Sequence, residues 1–221
     1  MKKPVICAVI VDGVTAAIRE AEPLVDMFEL RIDLVGSDWQ EVAVRLDKPW
    51  IACNRLAQEG GKWQGSEARR KEELLRACEL GASIVDIELA TKNLERVVPL
   101  IKKKARCLIS FHESEKTPTL DSLKKVVRMQ LAAGADICKV VTTAREFEDN
   151  LTVLELIKEF PGLDIVAFAM GALGLPSRVL GPLVGGSIVY AAIEKGGESA
   201  PGQVTVAELH RLYQMVGDGI V

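Results

Sequence analysis

Lys139 stands inside the apolar run ICKVV, where Ile137, Cys138, Val140 and Val141 read as a buried strand. An ammonium there must find partners or give up its proton. A second titratable group, His112, closes the run RCLISFH. Glu29, Arg31 and Asp33 alternate with Phe28, Leu30 and Ile32, and Asp86 and Glu88 alternate with Val85, Ile87 and Leu89; Arg55 ends WIACNR. Successive strand residues point to opposite faces, so each charged set lies opposite an apolar one. A lysine held among apolar and cationic neighbours is expected to favour its neutral amine, which attacks carbonyls and forms Schiff bases. The imine is an electron sink that acidifies the adjacent carbon, and His112, one strand away, is the natural base. Arginines suit carboxylates through paired hydrogen bonds. The residues therefore imply imine chemistry on a small, polar, anionic keto substrate. They leave a dehydratase and an aldolase both open.

Blander readings exist for each residue. Glu29, Arg31 and Asp33 also fit an internal ion-pair network, Asp86 and Glu88 fit structural partners of the arginines, and Lys139 can snorkel to a barrel mouth. A lone strand-end histidine is often a hydrogen-bonded structural group, and His210, in the last helical run, reads as surface. Charges on five consecutive strands aimed at one volume favour a site.

The elements that must position these groups alternate along the chain. Strand-like runs fall at 5–11, 27–33, 50–55, 83–89, 106–112, 137–143, 164–170 and 187–193. Amphipathic runs such as ARRKEELLRACELG, TLDSLKKVVRMQLAAG and NLTVLELIKEF separate them, and TVAELHRLYQMV (205–216) follows the last. Such alternation implies right-handed βαβ units and a parallel sheet. Eight repeats are the count of a (β/α)8 TIM barrel, expected here as a single domain over 1–221. The competing open doubly wound sheet is disfavoured because VIVDGVTAA lacks a GxGxxG turn. EGGKWQG (59–65) and GGES (196–199) read as loops after strands, and no linker rich in Pro, Gly or Ser divides the chain.

The 221 residues carry a formal net charge of −3, against the basic excess of a nucleic-acid binder. The charged start MKK and the apolar run after it suggest a signal peptide, but Asp12 cuts the run short and a first strand fits better. No apolar stretch approaches the roughly 20 residues of a spanning helix, so a soluble, cytoplasmic chain without membrane or nucleic-acid partners is expected. Cys7, Cys53, Cys78, Cys107 and Cys138 are odd in number with no CxxC, which favours reduced core thiols over disulfides or zinc.

Seven segments in order resemble type I 3-dehydroquinate dehydratases of the shikimate pathway: FELRID (28–33), CNRLAQEGG (53–61), VDIEL (85–89), ISFHESEKTP (109–118), DICKVVTTA (136–144), MGALGLPSRVLGPLVGGSIVYA (170–191) and SAPGQVT (199–205). The resemblance implies that Lys139 forms the Schiff base with the C3 ketone of 3-dehydroquinate and that His112 moves protons at C2 and at the departing C1 hydroxyl. It implies that Glu29, Arg31 and Arg55 contact substrate hydroxyls, that Arg178 binds the carboxylate, and that Ser199 and Gln203 close over the substrate. Glu59, beside His112, and Asp86 would be supporting carboxylates, and Met170 would line the apolar wall. No metal or diffusible cofactor is implied, and homodimers are. Residues alone would allow a solvated Arg178 at a helix start and an ordinary Pro-Gly turn in SAPGQ. Ser114 stands two residues after His112, where the family usually carries an aromatic, so Phe168 is the expected substitute wall. A class I aldolase would need a phosphate site near strands seven and eight. The only candidate, GPLVGGS (181–187), precedes the eighth strand.

Overall fold

The computed structural model describes residues 4–217; residues 1–3, with the charged start, and 218–221 lie outside the described residues. The elements run β1 (Val5–Ile10), α1 (Thr15–Ala21), β2 (Met27–Arg31), α2 (Ile32–Val35), α3 (Trp39–Ala43), β3 (Trp50–Cys53), α4 (Glu67–Glu79), β4 (Ile84–Glu88), α5 (Leu94–Ile101), β5 (Arg106–His112), α6 (Leu120–Ala132), β6 (Ile137–Thr143), α7 (Asp149–Lys158), β7 (Ile165–Met170), α8 (Leu175–Leu180), β8 (Ile188–Ala192) and α9 (Val206–Val216). The strands are parallel and hydrogen-bonded in the order β7-β6-β5-β4-β3-β2-β1-β8. The free edges meet where the Ser187 N–H donates to the Ile165 carbonyl at 2.8 Å. The result is a nearly closed (β/α)8 barrel, one domain.

Strand alternation divides the apolar side chains between two cores. Outward residues such as Phe28, Leu30, Val85 and Ile87 pack beneath the helices with Leu74, Ala77 and Ile101. Cys138 and Val140 do the same against Leu123, Val127 and Leu156. Inward residues Cys7, Met27, Ile51, Ile84, Leu108 and Ile137 plug the lower barrel. The charged groups take inward positions nearer the C-terminal ends of β2 to β6, and Val9, Phe168, Met170 and Tyr190 face them from β1, β7 and β8. A barrel filled by side chains below and open above is the arrangement that places sites at the C-terminal face.

Two strands end two residues earlier than the sequence pattern suggests, while β1, β4 and β8 end one residue earlier. β2 stops at Arg31, and the chain turns at once into α2, so Asp33 is not a strand residue. Its buried carboxylate folds back onto Arg31 with two hydrogen bonds of 2.9 and 2.7 Å. The same carboxylate accepts the backbone N–H groups of Arg55 (3.2 Å) and Lys62 (2.9 Å). β3 stops at Cys53, which leaves Arg55 in the loop that Asp33 ties down. Asp33 thus captures the Arg55 amide, which the longer β3 expected from the sequence would have held in the strand.

Local sequence fixes the helix starts. Ser66 caps α4 by accepting the Arg69 N–H, and Thr119 caps α6 by accepting that of Ser122. Thr205 and Glu208 form a reciprocal capping box at α9, so the loop after β8 ends on a fixed point. All five cysteines are free and buried, four of them on strands. Among the described residues no helix is long and apolar enough to cross a membrane.

Candidate active site

The C-terminal mouth of the barrel opens into a cavity of about 280 Å³. Its charged wall comes from β2 to β6 and the loop after β3. Glu29 and Arg31 reach it from β2, Arg55 and Glu59 from the loop, His112 from β5 and Lys139 from β6. Asp86, on β4, lies just beneath, wholly enclosed. The opposite wall is apolar: Val9 on β1, Phe168 and Met170 on β7, Tyr190 on β8. Arg178 from α8, with Ser199 and Gln203 from the loop after β8, completes the rim, and Ser114 lines the side beside His112.

Lys139 is only 4% exposed. Its Nζ lies 3.0 Å from Asp86 Oδ2, 3.2 Å from Glu29 Oε2 and 4.2 Å above the centre of the Tyr190 ring. Burial alone would push its pKa down, but Asp86 and Glu29 outweigh burial and raise it, against an opposing push from Arg55. At 3 Å each attraction is on the order of 5 kcal/mol for an effective dielectric of about 20. The resting amine is therefore a paired ammonium. This corrects the expectation of a neutral amine: strand alternation showed which face Lys139 occupies, but two carboxylates on that face lie within 3.2 Å of it and outweigh Arg55.

Asp86 is the hub of this wall. It accepts from Lys139, from Arg55 Nη2 at 2.6 Å and from the Ser110 hydroxyl at 2.6 Å. Burial works to raise its pKa, yet Arg55 and Lys139 hold it below the usual carboxylate range. Arg55 Nη1 also donates to the Ser110 oxygen at 2.6 Å. Ser110 is register partner to Lys139 across β5 and β6, so the strand pairing itself fixes this triangle.

His112 is held by Glu59, with Nδ1 2.8 Å from Oε2. Burial, with help from Arg55 and Lys139 and against Asp86, keeps the imidazole pKa well below its ordinary value. The ring is thus neutral near pH 7. With Glu59 ionised, Nδ1–H donates to it and Nε2 keeps a lone pair to accept a proton. Burial raises Glu59 to about 7; Arg55 opposes this, and Glu88 and Asp86 reinforce it.

Arg178 differs from every other buried arginine. Arg31 pairs with Asp33, Arg55 with Asp86 and Glu88, Arg70 with Glu67 and Glu88. Among the described residues no carboxylate pairs with Arg178, and its Nε has no hydrogen-bond partner. Its guanidinium lies 4.2 Å over the Phe168 ring, and Nη2 donates to the Pro201 carbonyl at 3.3 Å. Burial lowers its pKa to about 10. A buried cation without a counter-ion is costly unless a ligand supplies one.

The loop carrying Ser199 and Gln203 rests on this corner. Gln203 Oε1 accepts the Ser199 N–H (2.8 Å) and hydroxyl (3.1 Å). Gly171 N–H donates to Pro201 O at 3.1 Å. A side chain at Gly202, whose φ is +76°, would meet the Gly171 carbonyl oxygen at 2.2 Å, so only glycine permits this approach. His210 stands apart, on α9, against the Leu24 carbonyl.

Three features escape the sequence pattern. Tyr190 lies on an apolar strand with no charge to mark its inward face, although Ile188, Tyr190 and Ala192 share it. Ser110 is too ordinary to draw notice and acts only through its register with Lys139. Arg70 lies in a charged amphipathic helical run, where nothing in the pattern marks it as buried.

A parallel (β/α)8 barrel with its ionisable groups gathered at the C-terminal strand ends, around a buried amine and a neutral histidine, has the construction of a barrel enzyme. Residues 6–220 match the family described as type I 3-dehydroquinase. The chain is 43% identical over 216 residues to a 3-dehydroquinate dehydratase of Dehalococcoides mccartyi, covering 98% of this chain and 97% of that one. It is 36% identical to a 3-dehydroquinate dehydratase of Methanocaldococcus jannaschii, covering 94% and 96%. The fold superposes on the crystal structure of 3-dehydroquinate dehydratase from Geobacillus kaustophilus with a TM-score of 0.86 at 27% identity, over 97% of this chain and 91% of that one. The chain belongs to the type I 3-dehydroquinase family.

Proposed function

We propose that this chain converts 3-dehydroquinate to 3-dehydroshikimate and water through an imine on Lys139, with His112 as general acid and base. What carries the reading is one juxtaposition: a buried amine and a neutral histidine open into the same cavity as Arg178, the buried arginine that has no carboxylate partner among the described residues. The substrate carboxylate pairs with Arg178. Lys139 gives a proton to His112 and attacks the C3 carbonyl; the carbinolamine oxygen takes one proton from the nitrogen and that first proton back from His112, and leaves as water, so an iminium and a neutral His112 remain. Neutral His112 removes the C2 proton, and the electron pair moves into the imine as an enamine. The enamine expels the C1 hydroxyl, which takes its proton from His112 and leaves as water. Hydrolysis of the conjugated imine frees the product and the lysine.

Glu29, Arg31 and Arg55 meet the substrate hydroxyls in this scheme. Ser199 and Gln203 cover it, and Met170 and Phe168 supply apolar surface. Glu59 positions His112, and Asp86 balances Lys139. The lysine supplies the electron sink, so neither metal nor diffusible cofactor takes part, and a chelator should leave the rate unchanged. The proposal extends to a cytoplasmic homodimer, for which light scattering would read about twice the 24.0 kDa of one chain. The direct test of function is to add 3-dehydroquinate and follow the absorbance of the conjugated enone. A folded sample that gives none, or that cleaves a sugar phosphate instead, rejects the reading.

A further inference from the structure

Arg70 lies on α4, outside the barrel, yet its side chain is wholly buried. Its Nη1 donates to Glu88 Oε2 at 2.5 Å and to the Asn54 carbonyl at 3.3 Å. Nη2 reaches Thr91 and Glu67, both at 2.9 Å, and Nε reaches Glu67 at 2.8 Å. The other oxygen of Glu88 accepts the Leu56 N–H at 3.1 Å and lies 3.2 Å from Arg55 Nη1. Arg55 Nη2 is 2.6 Å from Asp86 Oδ2, and that same oxygen is 3.0 Å from Lys139 Nζ. An unbroken line of charge-assisted contacts therefore runs from a helix outside the barrel to the reacting amine.

Arg55 stands between two buried carboxylates, and its contacts are unequal. It gives its shortest hydrogen bonds to Asp86 and Ser110, both 2.6 Å, and only 3.2 Å to Glu88. Glu88 already has a guanidinium of its own in Arg70. We propose that Arg70 is a positioning residue for the reacting amine: by engaging Glu88 it keeps Arg55 on Asp86, and so sets how tightly Asp86 holds Lys139. The groups facing Lys139 are Glu29 and Arg31 from β2, Cys53 and Arg55 from β3 and its loop, and Asp86 from β4. His112 from β5, Tyr190 from β8 and Cys7 from β1 complete them. Glu88 is faced by Arg70, Arg55 and Glu59. Without Arg70, Glu88 and Asp86 compete for one guanidinium. Asp86 then leans on Lys139, and the ammonium gives up its proton only at higher pH.

The coupling to the amine rests on the imine mechanism proposed above, and the test separates the two. The adduct formed with 3-dehydroquinate is trapped by borohydride as a function of pH in wild type, Arg70→Met, Arg70→Lys and the double variant Arg70→Met/Glu88→Gln. Thermal midpoints are recorded for all four. Arg70→Met should move the trapping profile to higher pH by about one unit, Arg70→Lys by less. The double variant should return to the wild-type position, because no second carboxylate then competes for Arg55. A folded Arg70→Met with the wild-type profile and only a lower thermal midpoint overturns the proposal. A double variant that keeps the displaced profile does so too. If Arg70→Met does not fold, Arg70→Lys takes its place: a displaced profile supports the proposal and a wild-type profile overturns it, and the double variant must still match wild type. A wild type that traps nothing rejects the imine mechanism instead. The position of Arg55 in a crystal of Arg70→Lys then decides: moved toward Glu88 in support, unmoved on Asp86 against.

Discussion

The two walls of the cavity handle charge in opposite ways. On the β2–β6 wall every charge among Arg31, Arg55, Asp86 and Lys139 is already answered by a protein partner at 2.6 to 3.2 Å. On the opposite wall Val9, Phe168, Met170 and Tyr190 offer apolar surface, and Arg178 has no carboxylate partner among the described residues. A wall that neutralises itself is preorganised: its dipoles need no rearrangement when charge moves during reaction. A wall with one unanswered cation gains most when an anion arrives. In the proposed mechanism the first wall carries the chemistry and the second captures the substrate carboxylate.

Substitutions can break that division or sharpen it. Lys139→Ala should cost the most, abolishing imine formation and lowering turnover on the order of 10⁴-fold or more. Steady-state assay of a folded sample checks it, and substantial residual turnover would move the chemistry off this wall. His112→Ala should reduce kcat by about 10²–10⁴-fold while still forming a slowly decaying adduct; a nearly normal rate contradicts His112 as the base. Arg178→Ala, on the other wall, should act mainly on binding. Losing a charged hydrogen-bonded contact of about 2–3 kcal/mol raises KM roughly 30- to 150-fold, and an unchanged KM removes Arg178 from the site.

The smallest expected effect is on pH dependence. Glu59 carries a folded pKa of about 7. Above that pH it is ionised and accepts from His112; below it the acceptor is lost, so kcat/KM should fall on the acid side with an apparent value near 7. That limb belongs to the Glu59–His112 pair, and Glu59→Gln should flatten it. The same shift carries a stability sign. Between 4.5, the ordinary value, and about 7 the folded chain keeps a proton that the unfolded chain has released. Stability from this group therefore falls as pH rises through the window. The thermal midpoint of Glu59→Gln relative to wild type should move upward over that range, and a constant difference would refute the assignment.

The contrast between the walls also explains what the sequence disclosed. The charged wall is written in strand alternation, so Glu29, Arg31, Asp86, His112 and Lys139 are legible without coordinates, as is the barrel that carries them. Alternation gives a face and no distance, which is why the pairing of Lys139 with Asp86 and Glu29 stays hidden and its ionisation is misjudged. It also cannot tell where a strand stops. Asp33 keeps the alternating pattern while its backbone has already turned into α2. The second wall is built from an uncharged strand and from loops, where no period applies. Tyr190 is therefore silent, and Arg178, Ser199 and Gln203 come only from family resemblance. Arg70 shows the converse failure: ARRKEELLRACELG reads only as an amphipathic helix, and nothing in it marks that one of its arginines is buried completely.

The central claim is that Lys139 is the nucleophile, and reductive trapping tests it most directly. Borohydride added with 3-dehydroquinate should fix the substrate as a secondary amine. Trypsin does not cut after a modified lysine, so the added mass should appear on the peptide 129–145, MQLAAGADICKVVTTAR, with Lys139 internal. The same mass on any other peptide, or none from a sample that turns substrate over, would contradict the account.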